Sequence, residues 1–146
     1  METVGDILSE KGKAVHSIAP HETVLRAVES MCELRVGALL VCIDGAPRGI
    51  ISERDIMTRV ILAKRDPAHA LVEQVMTRDV ACVEPDAKAR EAMAIMTERR
   101  VRHLPVVFEG HVVGVLSIGD LVRWASREHE FEIRMLTDYV RGVYPG

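Results

Sequence analysis

The sequence predicts an α/β (α+β) fold made of two β-α-β-β-α units packed with pseudo-two-fold symmetry and followed by a helical tail. Three observations carry this. Displaced by 65 positions, residues 18–59 align with residues 83–124 without a gap and are identical at 12 of 42 positions, where average composition gives about two or three. In each copy a short apolar run meets a proline, Pro20 or Pro85, and then apolar residues recur at helical spacing. Two β-rich runs separated by turn residues follow, and each leads into a Ser-x-x-Asp element that opens a second helix.

Taken in order, Asp6-Ile7-Leu8 pairs with Gln74-Val75-Met76 after a further three-residue shift, which gives the first unit a longer opening loop. Strands are expected at Ala14 to Ile18 and at Val80 to Val83, because the residue before proline prefers extended geometry. Leu25, Val28 and Met31, and in the second copy Ala92, Ile95 and Met96, mark the buried face of a helix. Leu39 to Ile43 and Gly49 to Ser52 form a hairpin around Asp44-Gly45-Ala46-Pro47-Arg48; Leu104 to Phe108 and Val112 to Leu116 do so around Glu109-Gly110-His111. Second helices start at Glu53 and Ile118. The units span residues 4–63 and 72–125, with a linker over 64–71 and a tail over 126–146. Each is too poor in apolar residues to bury both faces alone, so the two are expected to share one core. Asp120 to Arg141 is one long helix or two joined ones, carrying Trp124, Phe131, Ile133, Leu136 and Tyr139. Its spare apolar groups point to a partner helix in a homodimer; the alternative is that the tail folds back over the repeats.

The 146 residues are 48% apolar and 28% charged with a net charge of -3, an ordinary globular composition large enough for a core without disulfides. The mild negative charge and 3% aromatic content argue against nucleic-acid binding, which needs a basic face and stacking rings. Cys32, Cys42 and Cys82 are odd in number and lack Cys-x-x-Cys spacing, so they are expected as buried thiols in a reducing compartment. The N-terminus is acidic where a signal peptide is basic, and the longest uncharged apolar run, Val36 to Ile43, is far short of a membrane span. A cytoplasmic protein with no membrane contact is the expectation.

The motif Gly49-Ile50-Ile51-Ser52-Glu53-Arg54-Asp55 and its copy Gly114-Val115-Leu116-Ser117-Ile118-Gly119-Asp120 sit where a strand becomes a helix. One account is a capping box, with the serine over an orphan N–H and an acid at the positive end of the helix. The other is a binding site, since ligands gather where strands feed helices and an aspartate can accept two hydrogen bonds from a ribose diol. Phosphates would then need a cation from elsewhere. Arg102 and His103 precede a buried strand where the first copy has Gly37-Ala38, and the chain uses 15 arginines against 4 lysines. Arginine forks onto phosphate, although a basic helix end also complements the dipole.

These stretches, with Val101-Arg102-His103-Leu104-Pro105-Val106-Val107, resemble a tandem pair of cystathionine β-synthase (CBS) domains of the free-standing bacterial type, over residues 4 to 125. The resemblance implies a disc-like (Bateman) module, often dimeric, that binds AMP, ADP, ATP, S-adenosylmethionine or NAD. AMP and NAD are the favoured ligands here. It places the ribose aspartates at Asp55 with Ser52 and at Asp120 with Ser117, Arg54 and Gly119 lying within the same two motifs. It also implies that the opposite repeat completes each pocket. Met76, Arg78 and Val80 would surround the base at Asp55, with Arg102 and His103 at the phosphates. Lys13, Val15, Val36 and Gly37 would close the Asp120 pocket, which lacks an arginine at the Arg102 position. The Asp55 pocket is therefore expected to hold a phosphorylated ligand more tightly.

The implied function is ligand sensing for an unidentified regulated protein, with no catalytic group or catalytic cofactor. An inosine monophosphate dehydrogenase, which contains such pairs, also needs a barrel of about 250 residues. A metal or redox sensor using Cys42, Cys82 and His16 is the alternative. It lacks ligand-spaced pairs.

Overall fold

A computed structural model describes residues 2–12 and 15–140. The first half runs α1 (Val4–Lys11), β1 (Ser17–Ile18), α2 (Val24–Leu34), β2 (Ala38–Ile43), β3 (Ala46–Ser52) and α3 (Glu53–Ile56), which a π-helical turn over Met57–Ile61 continues. The second half runs α4 (Val72–Val75), α5 (Ala89–Arg99), β4 (His103–Phe108), β5 (His111–Ser117) and α6 (Ile118–Val140). β1 lies parallel to β2, which pairs antiparallel with β3. β4 and β5 repeat that hairpin, and Val83 replaces the third strand by a single parallel bridge to Val106. The expected leading strands thus shrink to two residues and to one, Ala14 lying outside the described residues. The mixed α/β architecture of two equivalent repeats and a helical tail is as expected.

The repeat is visible in backbone detail. Both hairpins turn on two residues with positive φ, Asp44-Gly45 at 50° and 79° and Glu109-Gly110 at 51° and 80°, the type I′ pattern that matches strand twist. The expected five-residue turn at 44–48 is therefore shorter, and β3 begins at Ala46. A register shift between Val41 and Cys42, and its copy between Val106 and Val107, seats Pro47 opposite Cys42, a bulge being one place a strand tolerates proline. Arg35 and Arg100 both close their helices in the left-handed region. On α2 the buried positions are Val24, Ala27 and Met31, while Leu25 is exposed. Met31 is buried and Val28 packs against the same core as expected, so Leu25 alone departs from the expected face.

Two cores replace the single one expected. One gathers Val24, Met31, Leu39, Val41, Ile51 and Val60 with Val72, Val75 and Met76 of α4. The other gathers Val83, Met96, Leu104, Leu116, Leu121 and Trp124 with Val4, Ile7 and Leu8 of α1. Each repeat's first helix therefore packs in the other repeat's core. The backbone exchange is reciprocal: Val4 and Gly5 N–H donate to Ala87 and Pro85 O, and Val72 and Glu73 N–H donate to Glu22 and Pro20 O, at 2.8 to 2.9 Å. Orphan donors at each helix start are thus satisfied across the repeats. The 64–71 segment takes part, since Pro67 and Ala70 O accept from Leu25 and Val24 N–H at 2.9 and 2.8 Å.

The exchange makes two equivalent glycines unequal. A Cβ on Gly49 would lie 2.5 Å from Thr77 O and 2.9 Å from Met76 Sδ, whereas one on Gly114 would meet only Leu8 Cδ atoms at 2.8 and 2.9 Å. A side chain can rotate away; a backbone carbonyl held in a bridge cannot. Gly49→Ala is expected to destabilise by about 1–3 kcal/mol and Gly114→Ala by less, measured as urea midpoints. The reverse order would contradict the packing.

α6 is a single helix, and Trp124 is buried in the second core with 7% exposure instead of being free for a partner. The side chains of Phe131, Leu136 and Tyr139 lie outside the described ones; Ile133 is exposed. Among the described residues no helix is long and apolar enough to cross a membrane.

Candidate functional site

Both aspartates of the repeated motif sit in capping boxes. Ser52 is the N-cap of α3, its Oγ accepting from Asp55 N–H at 3.2 Å while Asp55 Oδ2 accepts from Ser52 N–H at 3.0 Å. Ser117 and Asp120 repeat this at 3.2 and 2.8 Å. The capping account is thus correct as far as it goes. What differs is each carboxylate's other company.

Asp55, 7% exposed, also accepts hydrogen bonds from the Ser52 hydroxyl and from the Thr77 hydroxyl, each at 3.0 Å. Arg59 of the following turn stands 4.0 Å from Oδ1 and caps α4 by donating to Val75 and Met76 O at 3.2 and 3.0 Å. Asp120, 4% exposed, is engaged by cations. Lys11 Nζ lies 2.7 Å from Oδ2 and Arg123 pairs with Oδ1. Burial pushes the Asp120 carboxyl upward, yet hydrogen bonds from Lys11 and Ser117 together hold it below the ordinary aspartate range.

Asp55 opens onto a cavity of about 560 Å³, within the range of small-molecule sites. The cavity is lined by the α3 start (Ser52, Glu53, Arg54, Asp55), by Thr77 and Asp79 to Ala81, and by Arg100 to His103. Gly37, Ala38 and Ile50 complete it. Both repeats therefore build it. Among the described residues Arg54, Arg100 and Arg102 are held in no ion pair, which leaves three guanidiniums for an anion. Burial lowers the His103 pKa below the ordinary histidine value, and Lys11 and Arg102 push the same way against the opposing pull of Asp120. A neutral imidazole donates one hydrogen bond.

A second cavity of about 270 Å³ is lined by Lys11, Gly12, His16, Val36, Leu40, Val115 and Ser117, and shares Ala38, Ile50 and His103 with the first. Asp120 is not among its lining residues; Lys11 is.

Of the residues expected at the Asp55 pocket, Ser52, Arg54, Val80, Arg102 and His103 line the cavity with Asp55. Met76 and Arg78 do not. Met76 is buried in the first core and Arg78 donates to Glu73 O at 2.7 Å. Thr77 and Asp79 take their places, because side chains alternate along an extended segment. Val80 stays on the cavity because its N–H donates back to Arg78 O at 3.0 Å, a local turn that resets the alternation. Thr77 is absent from the sequence expectation, because the Ile50 bridge that carries its hydroxyl to Asp55 is a tertiary contact.

At the Asp120 pocket Val36 and Ser117 line the second cavity. Gly37 faces the first cavity instead, since Glu53 N–H donates to its carbonyl at 3.0 Å. Val15 and Gly119 line neither cavity, His16 standing where Val15 was expected. Lys13 lies outside the described residues.

The CBS domain family model matches residues 4–62 and 72–127. The chain belongs to the CBS domain family. Its two CBS domains make it a regulatory module of the CBS-pair type. It is 36% identical, over 97% of its own length and 73% of the relative's, to the mitochondrial CBS domain-containing protein CBSX3 of Arabidopsis thaliana. It is 31% identical to hypoxic response protein 1 of Mycobacterium tuberculosis, covering 84% of this chain and 85% of that one. A crystallised CBS domain superposes with a TM-score of 0.80 at 44% identity, over 85% of this chain and 97% of that one. CBSX2 in complex with AMP superposes at 0.73 with 26% identity, over 88% and 99%. Hypoxic Response Protein I with two coordinated zinc ions superposes at 0.74 with 30% identity, over 83% and 97%.

Among the described residues of this chain, no three His, Cys, Asp or Glu side chains gather as a metal site. The expected buried thiols are not found, since Cys32 and Cys82 are exposed and Cys42 is half-buried; partial desolvation still raises the Cys42 and Cys82 thiols above the ordinary cysteine value, which disfavours the thiolate that metal binding and redox exchange require.

Proposed function

We propose that this CBS pair senses an adenosine-containing nucleotide, AMP, ADP, ATP or NAD, in the Asp55 cavity and signals it to a regulated protein through a change in repeat arrangement or dimer contact. One observation carries the proposal: a buried carboxylate flanked by two rotatable hydroxyls shares a cavity built by both repeats with three arginines that, among the described residues, are held in no ion pair. Ser52 and Thr77 can turn their O–H groups away from Asp55 at little cost, which frees lone pairs for a ribose cis-diol. Arg102, with Arg54 and His103 beside it, suits the phosphates. Ile50, Val80, Ala81 and Val101 offer an aliphatic slot for the adenine, in a chain whose aromatic content is 3%. The AMP complex of a structural relative supports the ligand class. Because ligand contacts come from both repeats, binding favours whichever repeat arrangement holds those contacts best. The module acts as a cytoplasmic homodimer in this reading, with no chemistry of its own.

Calorimetric titration with AMP and with adenosine tests it. Arg102→Ala is expected to weaken AMP by about tenfold or more, since a hydrogen bond to a charged group contributes roughly 1.5–3 kcal/mol, while adenosine affinity stays within about twofold. Equal losses for both ligands would remove Arg102 from the phosphate site. Failure of the parent protein to bind either would remove the function.

A further inference from the structure

The three-residue offset between the repeats has a structural product. α1 has eight residues and α4 has four, and Leu8 and Met76 occupy equivalent places against Gly114 and Gly49. After Met76 the chain becomes extended and brings the neutral Thr77 hydroxyl to Asp55. After Leu8 the helix runs on for another turn and brings the Lys11 ammonium to Asp120. Lys11 Nζ also donates to Val115 O at 2.9 Å, and its side chain is two-thirds buried. Each aspartate has an arginine of its own helical segment beside it, Arg59 or Arg123. Arg123 pairs directly with Asp120 from an exposed position, whereas Arg59 stands 4.0 Å from Asp55; the partly buried cation that has no counterpart at Asp55 is Lys11.

We infer that Lys11 is a built-in occupant of the second ribose site: its ammonium takes the place of a nucleoside diol on Asp120 and restricts this CBS pair to one nucleotide per chain. A diol arriving at Asp55 turns two hydroxyls; one arriving at Asp120 must pull apart a partly buried ion pair, which costs far more than a hydroxyl rotation. Lys11 also lines the smaller cavity. Three residues added to the first helix thus convert a duplicated binding site into a single one.

The inference rests on the nucleotide-binding proposal, and the experiment separates the two. Equilibrium dialysis at saturating AMP counts ligands per chain for the parent protein and for Lys11→Met. Because Lys11→Met leaves the buried Asp120 with Arg123 as its sole cationic partner among the described residues, Lys11→Gln, which keeps a neutral donor, is measured beside it. The expected count rises from one in the parent to two in the variants. One in all three proteins overturns the lock and leaves the Asp55 reading intact. Two in the parent overturns the lock as well. None in the parent and one in the variants upholds the lock and overturns the Asp55 reading; none anywhere overturns both.

Discussion

Asp55→Ala is expected to weaken AMP binding by at least about 100-fold, whereas Asp120→Ala leaves the affinity within about threefold of the parent. The first figure follows from losing two hydrogen bonds from the ribose diol to an ionised acceptor, each contributing roughly 1.5–3 kcal/mol. The second follows from geometry. Asp120 is covered by Lys11 and Arg123 and is absent from the wall of either cavity. Both substitutions break a capping box, at a cost of about 1 kcal/mol to the helix, so loss of the cap cannot by itself separate them. Asp55→Asn sharpens the comparison. It keeps an oxygen for the Ser52 N–H and loses the charge and one of the two acceptors that a diol needs, so it should still lose AMP by about tenfold or more while melting close to the parent. Calorimetry on the four proteins decides the matter. Equal losses for Asp55→Ala and Asp120→Ala, or a larger loss for Asp120→Ala, would refute the asymmetry between the sites.

That asymmetry was half legible in the sequence. The alignment of Arg102 with Gly37 follows from comparing the two copies, the larger affinity expected at Asp55 follows from the crossed pockets that the family resemblance implies, and a 65-residue period with a gapless alignment is enough to place both hairpins and both Ser-x-x-Asp elements. The period is silent on which helix packs on which repeat. An exchanged pair and an unexchanged pair have the same internal alignment, since exchange moves α1 and α4 together. Buried-face patterns fail for the same reason, because Leu8 and Met76 must be apolar whichever core receives them. The three extra residues near Ser9 were legible as an insertion, and a loop was the default reading. Their helical geometry comes from Thr3, whose capping box with Asp6 starts α1, and from burial of Ile7 and Leu8 in the second core. Lys11 became a site residue only through that tertiary placement. Thr77 is similar: its role depends on the Ile50 bridge, with N–H to O distances of 2.9 Å in both directions, and no local pattern around it announces a partner 27 residues away.

If the exchange is what joins the repeats, Leu8→Ala should destabilise the whole module and not one end of it. Leu8 is 2% exposed among Leu104, Leu116 and Trp124, so truncation leaves a cavity and costs about 2–5 kcal/mol. For a chain of this size that lowers the melting temperature by roughly 4–20 °C. Two ion pairs also tie α1 to α6, the partly buried Lys11–Asp120 pair and the Glu10–Arg127 pair at 2.9 Å, whose side chains are both more than half exposed; exposed pairs of the second kind contribute under about 1 kcal/mol. Glu10→Ala should therefore shift the melting temperature by a few degrees at most. Met76→Ala, at the equivalent place in the other core, should resemble Leu8→Ala. The sole tryptophan, Trp124, reports directly on the second core, while circular dichroism follows both. Because each core contains a helix from the other repeat, neither can open without stripping its neighbour, and the two signals are expected to coincide in every variant. Separate transitions, with Leu8→Ala moving only the tryptophan signal and Met76→Ala only the remaining ellipticity, would show that the repeats fold independently. The ligand would then have no shared frame through which to act, and the sensing mechanism would have to lie in the dimer contacts instead.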